Sequence, residues 1–223
     1  MPVSPPRRRL RGDPKGRVRL QTLGPLRVER DDVELTLRPA EKRLLAILAL
    51  GPGHQLDTER LIDQMWGDEV PRTARAALQV HVSAVRRKLG NTSLVSDRSG
   101  YRLSVHEVDA SLYLSLAEEA HERLGAFAWR SCVETIDRAE ALWRDAPYPE
   151  LRYDDFAHPT IARLEETRLG LLELRAEARL ALGLHREAIP ELEALLAEYP
   201  LRERLWEHLM TARYRVGRFA EAL

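Results

Sequence analysis

Hydrophobic and polar residues alternate with a period close to two between positions 18 and 37, a pattern that predicts β-strands. Apolar side chains form three short runs, which the turn signals Gly24-Pro25 and Asp31-Asp32 separate. The runs are 18–23, 26–28 and 33–37. We therefore expect three short strands before the first helix.

After Pro39 the apolar spacing becomes helical, and the pattern predicts three helices. Glycine-rich segments end the first two helices, and Gly90 is a typical signal for the end of the third. Asp57 is a residue type that caps helix N-termini, so it marks the start of the second helix. The predicted helices are 39–50, 57–66 and 73–89.

Two further apolar runs predict a β-hairpin after the third helix. They are residues 94–96 and 101–105, and the turn between them is Arg98-Ser99-Gly100. Three strands, three helices and a closing hairpin, in this order, are typical of a winged helix-turn-helix. We therefore expect an α+β domain over residues 18–106.

The third predicted helix has one apolar face and one face of small and cationic residues. At 100° per residue, Ala74, Val82, Val85 and Leu89 fall within 40° of Leu78 and form a stripe that would be buried. The opposite face and its flanks carry Ala76, Gln79, Val80, Ser83, Ala84, Arg86 and Arg87. Small side chains allow close approach to DNA, and cations reach guanine or phosphate. The alternative is an ordinary surface helix with solvated charges.

This face, the start of the helix and the hairpin together give the predicted DNA-binding residues. Residues near the helix N-terminus are included because amide N–H groups there favour phosphate. The predicted contacts are Arg72, Thr73, Arg75, Gln79, Val80, Ser83, Ala84, Arg86, Arg87, Lys88 and Arg98. His81 lies at the edge of the apolar stripe, where we expect it to pack rather than to bind a ligand.

From Asp109, interpreted as an N-cap, every long segment has helical spacing. Gly183 and Gly217 are 34 residues apart, and the residues around them match at the same offset. A helix-turn-helix repeat of about 34 residues is the tetratricopeptide period. A generic antiparallel helical bundle is the alternative. The expected second domain, residues 107–223, is therefore all-α.

Charge is distributed unevenly although the whole chain is neutral. Residues 1–105 contain 20 Lys and Arg against 12 Asp and Glu, whereas residues 106–223 contain 15 against 23. A basic half beside an acidic half predicts a polyanion-binding module joined to a module with another role. Residues 1–17 are rich in proline and arginine and are expected to form a flexible basic arm, which either attracts phosphate or has no role.

The sequence shows no arrangement typical of an enzyme, a metal site or a cofactor site. Cys132 is the only cysteine and is expected in a helix core, and no phosphate-binding loop or His-Glu-x-x-His motif is present. The acidic pairs Glu118-Glu119 and Asp154-Asp155 are interpreted as solvated charges. No apolar run approaches the roughly 18 residues of a membrane span, and no secretory signal begins the chain, so we expect a cytoplasmic protein.

Several segments of the first half resemble the OmpR/PhoB-type winged helix, and more narrowly the Streptomyces antibiotic regulatory protein (SARP) family. They are Leu23-Gly-Pro-Leu-Arg-Val28, Lys42-Arg-Leu-Leu-Ala46, Arg60-Leu-Ile-Asp-Gln-Met-Trp-Gly-Asp68, Leu78-Gln-Val-His-Val-Ser83 and Gly100-Tyr-Arg-Leu103. The resemblance implies that Val80, Ala84 and Arg86 face the groove. Relatives often carry arginine at Ala84 and at Asp97, so this chain departs from the pattern at both positions.

Segments of the second half resemble the bacterial transcriptional activator domain of the same family. They are Val108-Asp109, Ala141-Leu-Trp-Arg144, the helix 161–182 and Leu201-Arg-Glu-Arg-Leu-Trp206. The resemblance implies an activator that binds direct repeats in promoter double-stranded DNA and recruits RNA polymerase holoenzyme to antibiotic genes. One arrangement on the DNA is a homodimer. The alternative is a helical-repeat adaptor with weak or no specific nucleic-acid binding. Because the sequence ends within the second helix of a repeat, we expect that it is truncated.

Overall fold

The computed structural model describes residues 16–218, so most of the predicted basic arm and the segment 219–223 lie outside the described residues. The first half contains strands and three helices, and the second half is helical. The elements of the first half are β1 (Val18–Gln21), β2 (Arg27–Arg30), β3 (Val33–Glu34), α1 (Pro39–Ala49), β4 (Gln55–Asp57), α2 (Thr58–Trp66), α3 (Ala74–Leu89), β5 (Leu94–Ser96), β6 (Gly100–Leu103) and β7 (Glu107–Val108). Those of the second half are α4 (Asp109–Gly125), α5 (Trp129–Glu140), a 3₁₀ turn (Pro149–Leu151), α6 (His158–Ala181), α7 (His185–Glu198) and α8 (Glu203–Arg215). Among these residues, no helix is long and apolar enough to cross a bilayer.

Two small sheets frame the three helices of the first half. The first has the order β3-β2-β1-β7, with β7 parallel to β1, and the second has the order β4-β6-β5. The expected strands, helices and hairpin are all present. Strands β4 and β7 are additions that the sequence pattern did not predict. Strand β4 pairs antiparallel with β6, the second strand of the hairpin, and β7 pairs with β1.

The helix ends follow the local signals in the sequence. Asp57 caps α2, since its carboxylate accepts hydrogen bonds from the N–H groups of Glu59 and Arg60 at 2.8 and 3.3 Å. Gly90 ends α3 with a φ of 97°, a conformation that glycine adopts at low cost. Both interpretations are confirmed.

The second half is built from helices joined by short turns, two of which have the same hydrogen bonds. The N–H groups of Leu184 and Arg218 donate to the carbonyls of Arg179 and Arg213, both at 2.9 Å. Gly183 and Gly217 have φ values of 78° and 82°. These pairs are all 34 residues apart, so the structure supports the predicted repeat up to residue 218, and the match at 219–223 lies outside the described residues.

Asp109 joins the two halves. The sequence pattern predicts Asp109 as an N-cap, but Val108 is the N-cap and Asp109 is the first residue of α4. Its buried carboxylate accepts hydrogen bonds from the Thr22 N–H at 2.6 Å, the Thr22 hydroxyl at 2.7 Å and the Leu23 N–H at 3.1 Å. Burial raises the pKa of Asp109, although these hydrogen bonds oppose the shift.

A single hydrophobic core extends across the predicted boundary at 106/107. Side chains of β1, α1 and α3 belong to the same buried cluster as Tyr113, Ile136 and Leu164 from the second half. Tyr148, buried and also from the second half, donates through its hydroxyl to the Ala49 carbonyl at 2.9 Å, and burial raises its pKa. The two halves are therefore held together by packing as well as by sequence connection.

An ion pair adds to this contact and corrects one prediction. Asp154 was interpreted as a solvated charge, but its two carboxylate oxygens accept hydrogen bonds from Arg43 at 2.7 and 2.8 Å. The same guanidinium donates to the Gln64 and Met65 carbonyls at the end of α2. Arg43 thus ties α2 to the second half, and the prediction for Asp154 was wrong because its partner lies far away in sequence.

Candidate nucleic-acid interface

Helix α3 has the two faces that its sequence predicts. Leu78, Val82 and Val85 are at most 2% exposed and pack into the core. The opposite face is exposed and carries Gln79, Val80, Ser83 and Arg87. Val80 is 65% exposed, so its apolar side chain is accessible to a ligand. This face fits a major groove, where small and apolar side chains contact base edges and thymine methyl groups.

The start of α3 adds polar groups beside this face. Arg72, Thr73 and Arg75 are exposed. Thr73 is the N-cap residue but makes no side-chain capping hydrogen bond. Arg75 forms an ion pair with Glu59 at the start of α2. The charge of Arg75 is therefore partly neutralised within the protein.

The three cations at the end of α3 have three different environments. Arg86 donates to the Leu94 carbonyl at 2.8 Å and to the Ser96 hydroxyl at 2.7 Å, so it binds strand β5. Arg87 is exposed and makes no ion pair with any residue in the 16–218 range. Arg87 is thus the member of this group whose charge is most available to a ligand.

Lys88, the third cation, stabilises the fold. Its ammonium group donates to the Thr36 carbonyl at 2.9 Å and forms an ion pair with Glu41, whose side chain is 3% exposed. Burial alone would raise the pKa of Glu41, but the hydrogen bonds from Lys88 and from the Arg38 N–H outweigh it and lower the pKa. The sequence could not indicate this role, because Glu41 is 47 residues away.

Strands β5 and β6 form the wing beside α3, and Arg98 is exposed in the turn between them. Asp97, at the start of this turn, accepts hydrogen bonds from the Ser99 hydroxyl and N–H and from the Gln55 amide, which lower its pKa. Arg98 and the exposed face of α3 are thus the two parts of one candidate interface. Gln55 is a functional candidate that the sequence pattern did not single out, whereas Asp97 was identified there only as a departure from the family pattern.

The remaining predicted positions have structural roles or lie beside the interface. Ala84 is half-buried, and the His81 ring packs against Trp66 with 6.3 Å between ring centroids, so the expected packing role is confirmed. Cys132 is fully buried, as predicted, and burial raises its pKa. No group of three metal-binding side chains occurs within residues 16–218.

The helical half presents a separate exposed apolar face on α8. Trp206, Met210 and Tyr214 follow each other at intervals of four residues and are 45%, 46% and 61% exposed. Such spacing places them on one side of the helix. Exposed aromatic and methionine side chains are enriched in protein interfaces, so this face is a candidate for protein contacts.

Both halves match described protein families. Residues 32–103 match the family described as "Transcriptional regulatory protein, C terminal", and residues 108–223 match the family described as "Bacterial transcriptional activator domain". The regulatory protein AfsR of Streptomyces griseus is 37% identical over 92% of this chain, and the chain spans 21% of its length. The regulatory protein DnrI of Streptomyces peucetius is 31% identical over 92% of this chain and 81% of its own length.

A solved structure has the same fold over most of the chain. It is the structure titled "Mycobacterium tuberculosis EmbR in complex with low affinity phosphopeptide", with a TM-score of 0.87 and 28% identity. The match covers 93% of this chain and 57% of that one. The arrangement of a winged helix packed against a helical domain is therefore shared with a solved protein.

Proposed function

Because the chain belongs to the SARP family of transcriptional regulators, we propose that it binds promoter DNA in a sequence-specific way and activates transcription. The observation that carries the proposal is the exposed face of α3, where Gln79, Val80 and Ser83 lie opposite the buried stripe. A helix with small and polar groups on its outer face, flanked by cations, fits the major groove.

The residues of the proposed interface would make different kinds of contact with DNA. Gln79, Val80 and Ser83 would contact base edges, and Arg72, Thr73 and Arg87 would contact phosphate or guanine. Ala84 would allow close approach, and Arg98 would reach the adjacent minor groove. Arg75, Arg86 and Lys88 stay in the proposed surface, but each would have to share a group that it already binds in the protein.

The helical half would supply contacts with the transcription machinery. Family membership suggests RNA polymerase holoenzyme as the partner, promoter direct repeats as the DNA target and secondary-metabolite genes as the regulated genes. Two copies on adjacent repeats would form a homodimer on DNA. A protein that acts on a bacterial promoter works in the cytoplasm, where the chromosome lies.

DNA selection tests the first part of the proposal. The full chain is used to select sequences from random double-stranded DNA, and binding to the selected sequence is measured in a large excess of unrelated DNA. We expect Arg87→Ala to lower the affinity roughly tenfold, whereas Arg186→Ala on α7, which removes the same charge from an exposed site, should not. Loss of all binding in the presence of unrelated DNA would contradict sequence-specific recognition.

A helical-repeat adaptor is the second candidate function, and the exposed face of Trp206, Met210 and Tyr214 favours it. An adaptor would use this face for a protein partner without reading DNA. Purified transcription at the selected sequence separates the two functions. Activation that is lost in Arg87→Ala supports the first, and transcription that is the same with and without the protein contradicts it.

A further inference from the structure

The turn of the wing is closed by one oxygen atom of Asp97. Oδ1 of this carboxylate accepts hydrogen bonds from the Ser99 N–H at 2.8 Å and the Ser99 hydroxyl at 2.7 Å. Across the turn, the Asp97 N–H donates to the Gly100 carbonyl at 3.1 Å. Arg98 lies between these partners, so the backbone on both sides of it is held in place.

Strand β4 holds the same turn from outside the hairpin. The Gln55 side-chain amide donates to Oδ1 of Asp97 and, at 2.8 Å, to the Ser99 hydroxyl. Gly100 allows the close approach of the two strands, because a Cβ atom at this position would lie 2.0 Å from the Leu56 carbonyl oxygen. The turn is therefore fixed to the body of the domain.

The charge of Asp97 is unfavourable at this place if the wing meets DNA. A carboxylate next to phosphate groups repels them and weakens binding. Asp97 is exposed, so no buried partner requires its charge. The donors to Oδ1 are neutral groups of Ser99 and Gln55, which need an acceptor at this position.

We propose that Asp97 is a positioning residue for DNA binding, which together with Gln55 and Ser99 holds the wing turn so that the Arg98 side chain enters the minor groove. This inference rests on the proposed function. The fixed turn removes the entropy cost of ordering the wing when DNA binds. Arg98 supplies the contact, and Asp97 acts through it.

Two substitutions in the full chain separate geometry from charge. All three side-chain hydrogen bonds use Oδ1, and asparagine keeps this acceptor while it removes the charge. We expect Asp97→Asn to bind the selected DNA as tightly as the original chain or more tightly. Asp97→Ala should bind about tenfold more weakly, because the Arg98 contact is lost.

Arg98→Ala and a remote acid provide the controls. In the Arg98→Ala background, Asp97→Ala should cause no further loss, because the two residues act through the same contact. Asp68→Ala removes another exposed acid of the winged helix and should not weaken binding. Hydroxyl-radical footprinting should show a minor-groove protection that disappears in Asp97→Ala and stays in Asp97→Asn.

The outcomes distinguish this proposal from the proposed function. Equal or tighter binding by Asp97→Ala, with specific binding by the original chain, overturns the positioning role alone. If Asp97→Ala weakens DNA binding by the same factor in the Arg98→Ala background, the positioning role is also overturned. An original chain that does not discriminate between DNA sequences overturns both proposals.

Discussion

Replacement of Asp109 by alanine is expected to lower the free energy of unfolding by about 2–4 kcal/mol, because two backbone N–H groups lose their acceptor. These are the N–H groups of Thr22 and Leu23, which are 1% and 0% exposed. The Thr22 hydroxyl loses its acceptor as well. The substitution thus removes the polar contact that joins β1 to the start of α4.

The magnitude follows from two opposing effects. A buried donor without a partner costs about 1–3 kcal/mol, so two N–H groups and a hydroxyl could cost more than the stated range. However, burial raises the pKa of Asp109, which shows that the charged carboxylate is not fully compensated in the fold. Removal of the carboxylate also removes the cost of burying its charge. The expected net loss of about 2–4 kcal/mol is therefore smaller than the largest sum of the separate hydrogen-bond costs.

Urea unfolding of the full chain, followed by tryptophan fluorescence and circular dichroism, measures the effect. Asp155→Ala is the matched control, because the Asp155 side chain is fully exposed and next to the residue that pairs with Arg43. Since Trp66 lies in the first half and Trp143 in the second, coincident transitions would show that both halves unfold together. If the free energy of unfolding of Asp109→Ala lies within about 0.5 kcal/mol of that of Asp155→Ala, the reasoning is refuted.

Three further predictions concern α3 and its supports. Lys88→Ala should lower the free energy of unfolding by about 3 kcal/mol, measured by urea unfolding, because it leaves the buried Glu41 carboxylate without its cation. The lowered pKa of Glu41 means that its ionised form stabilises the fold above its ordinary value of 4.5 and that this contribution is lost as the pH falls through the lowered pKa. The free energy of unfolding should therefore fall less steeply with decreasing pH in Glu41→Gln than in the original chain. Equal slopes in the two proteins would contradict this. Arg86→Ala should weaken specific DNA binding by about 1–3 kcal/mol with the helix content intact, and unchanged affinity would remove Arg86 from the interface.

Local patterns in the sequence predict the elements and the faces of α3 well. The spacing around Leu78 and Val82 depends only on helix geometry, and the structure confirms the buried stripe. Strand β4 was missed because three residues give too short an alternation, and its last residue, Asp57, is also the N-cap of α2. Short strands that exist because a distant strand pairs with them leave no local signal.

Partners that are distant in sequence explain the other differences. Asp154 is 111 residues from Arg43, and no periodicity connects two such positions. The helical wheel gave the direction of Arg86 but not the Leu94 carbonyl that it binds. Charge distribution suggested two modules, and it contains no information about the apolar core that they share.

The short connection between the two halves has a consequence for promoter geometry. Only residues 104–106 separate β6 from β7, and β7 pairs with β1, so the helical half cannot swivel about a flexible linker. B-DNA turns once in about 10–10.5 base pairs. The spacer is the DNA between the site that binds this protein and the site that binds RNA polymerase. A spacer lengthened by about half a turn would carry the helical half to the opposite side of the duplex, and a full turn would return it. If the protein activates transcription as proposed, activation would therefore oscillate with spacer length, in phase with the DNA helix.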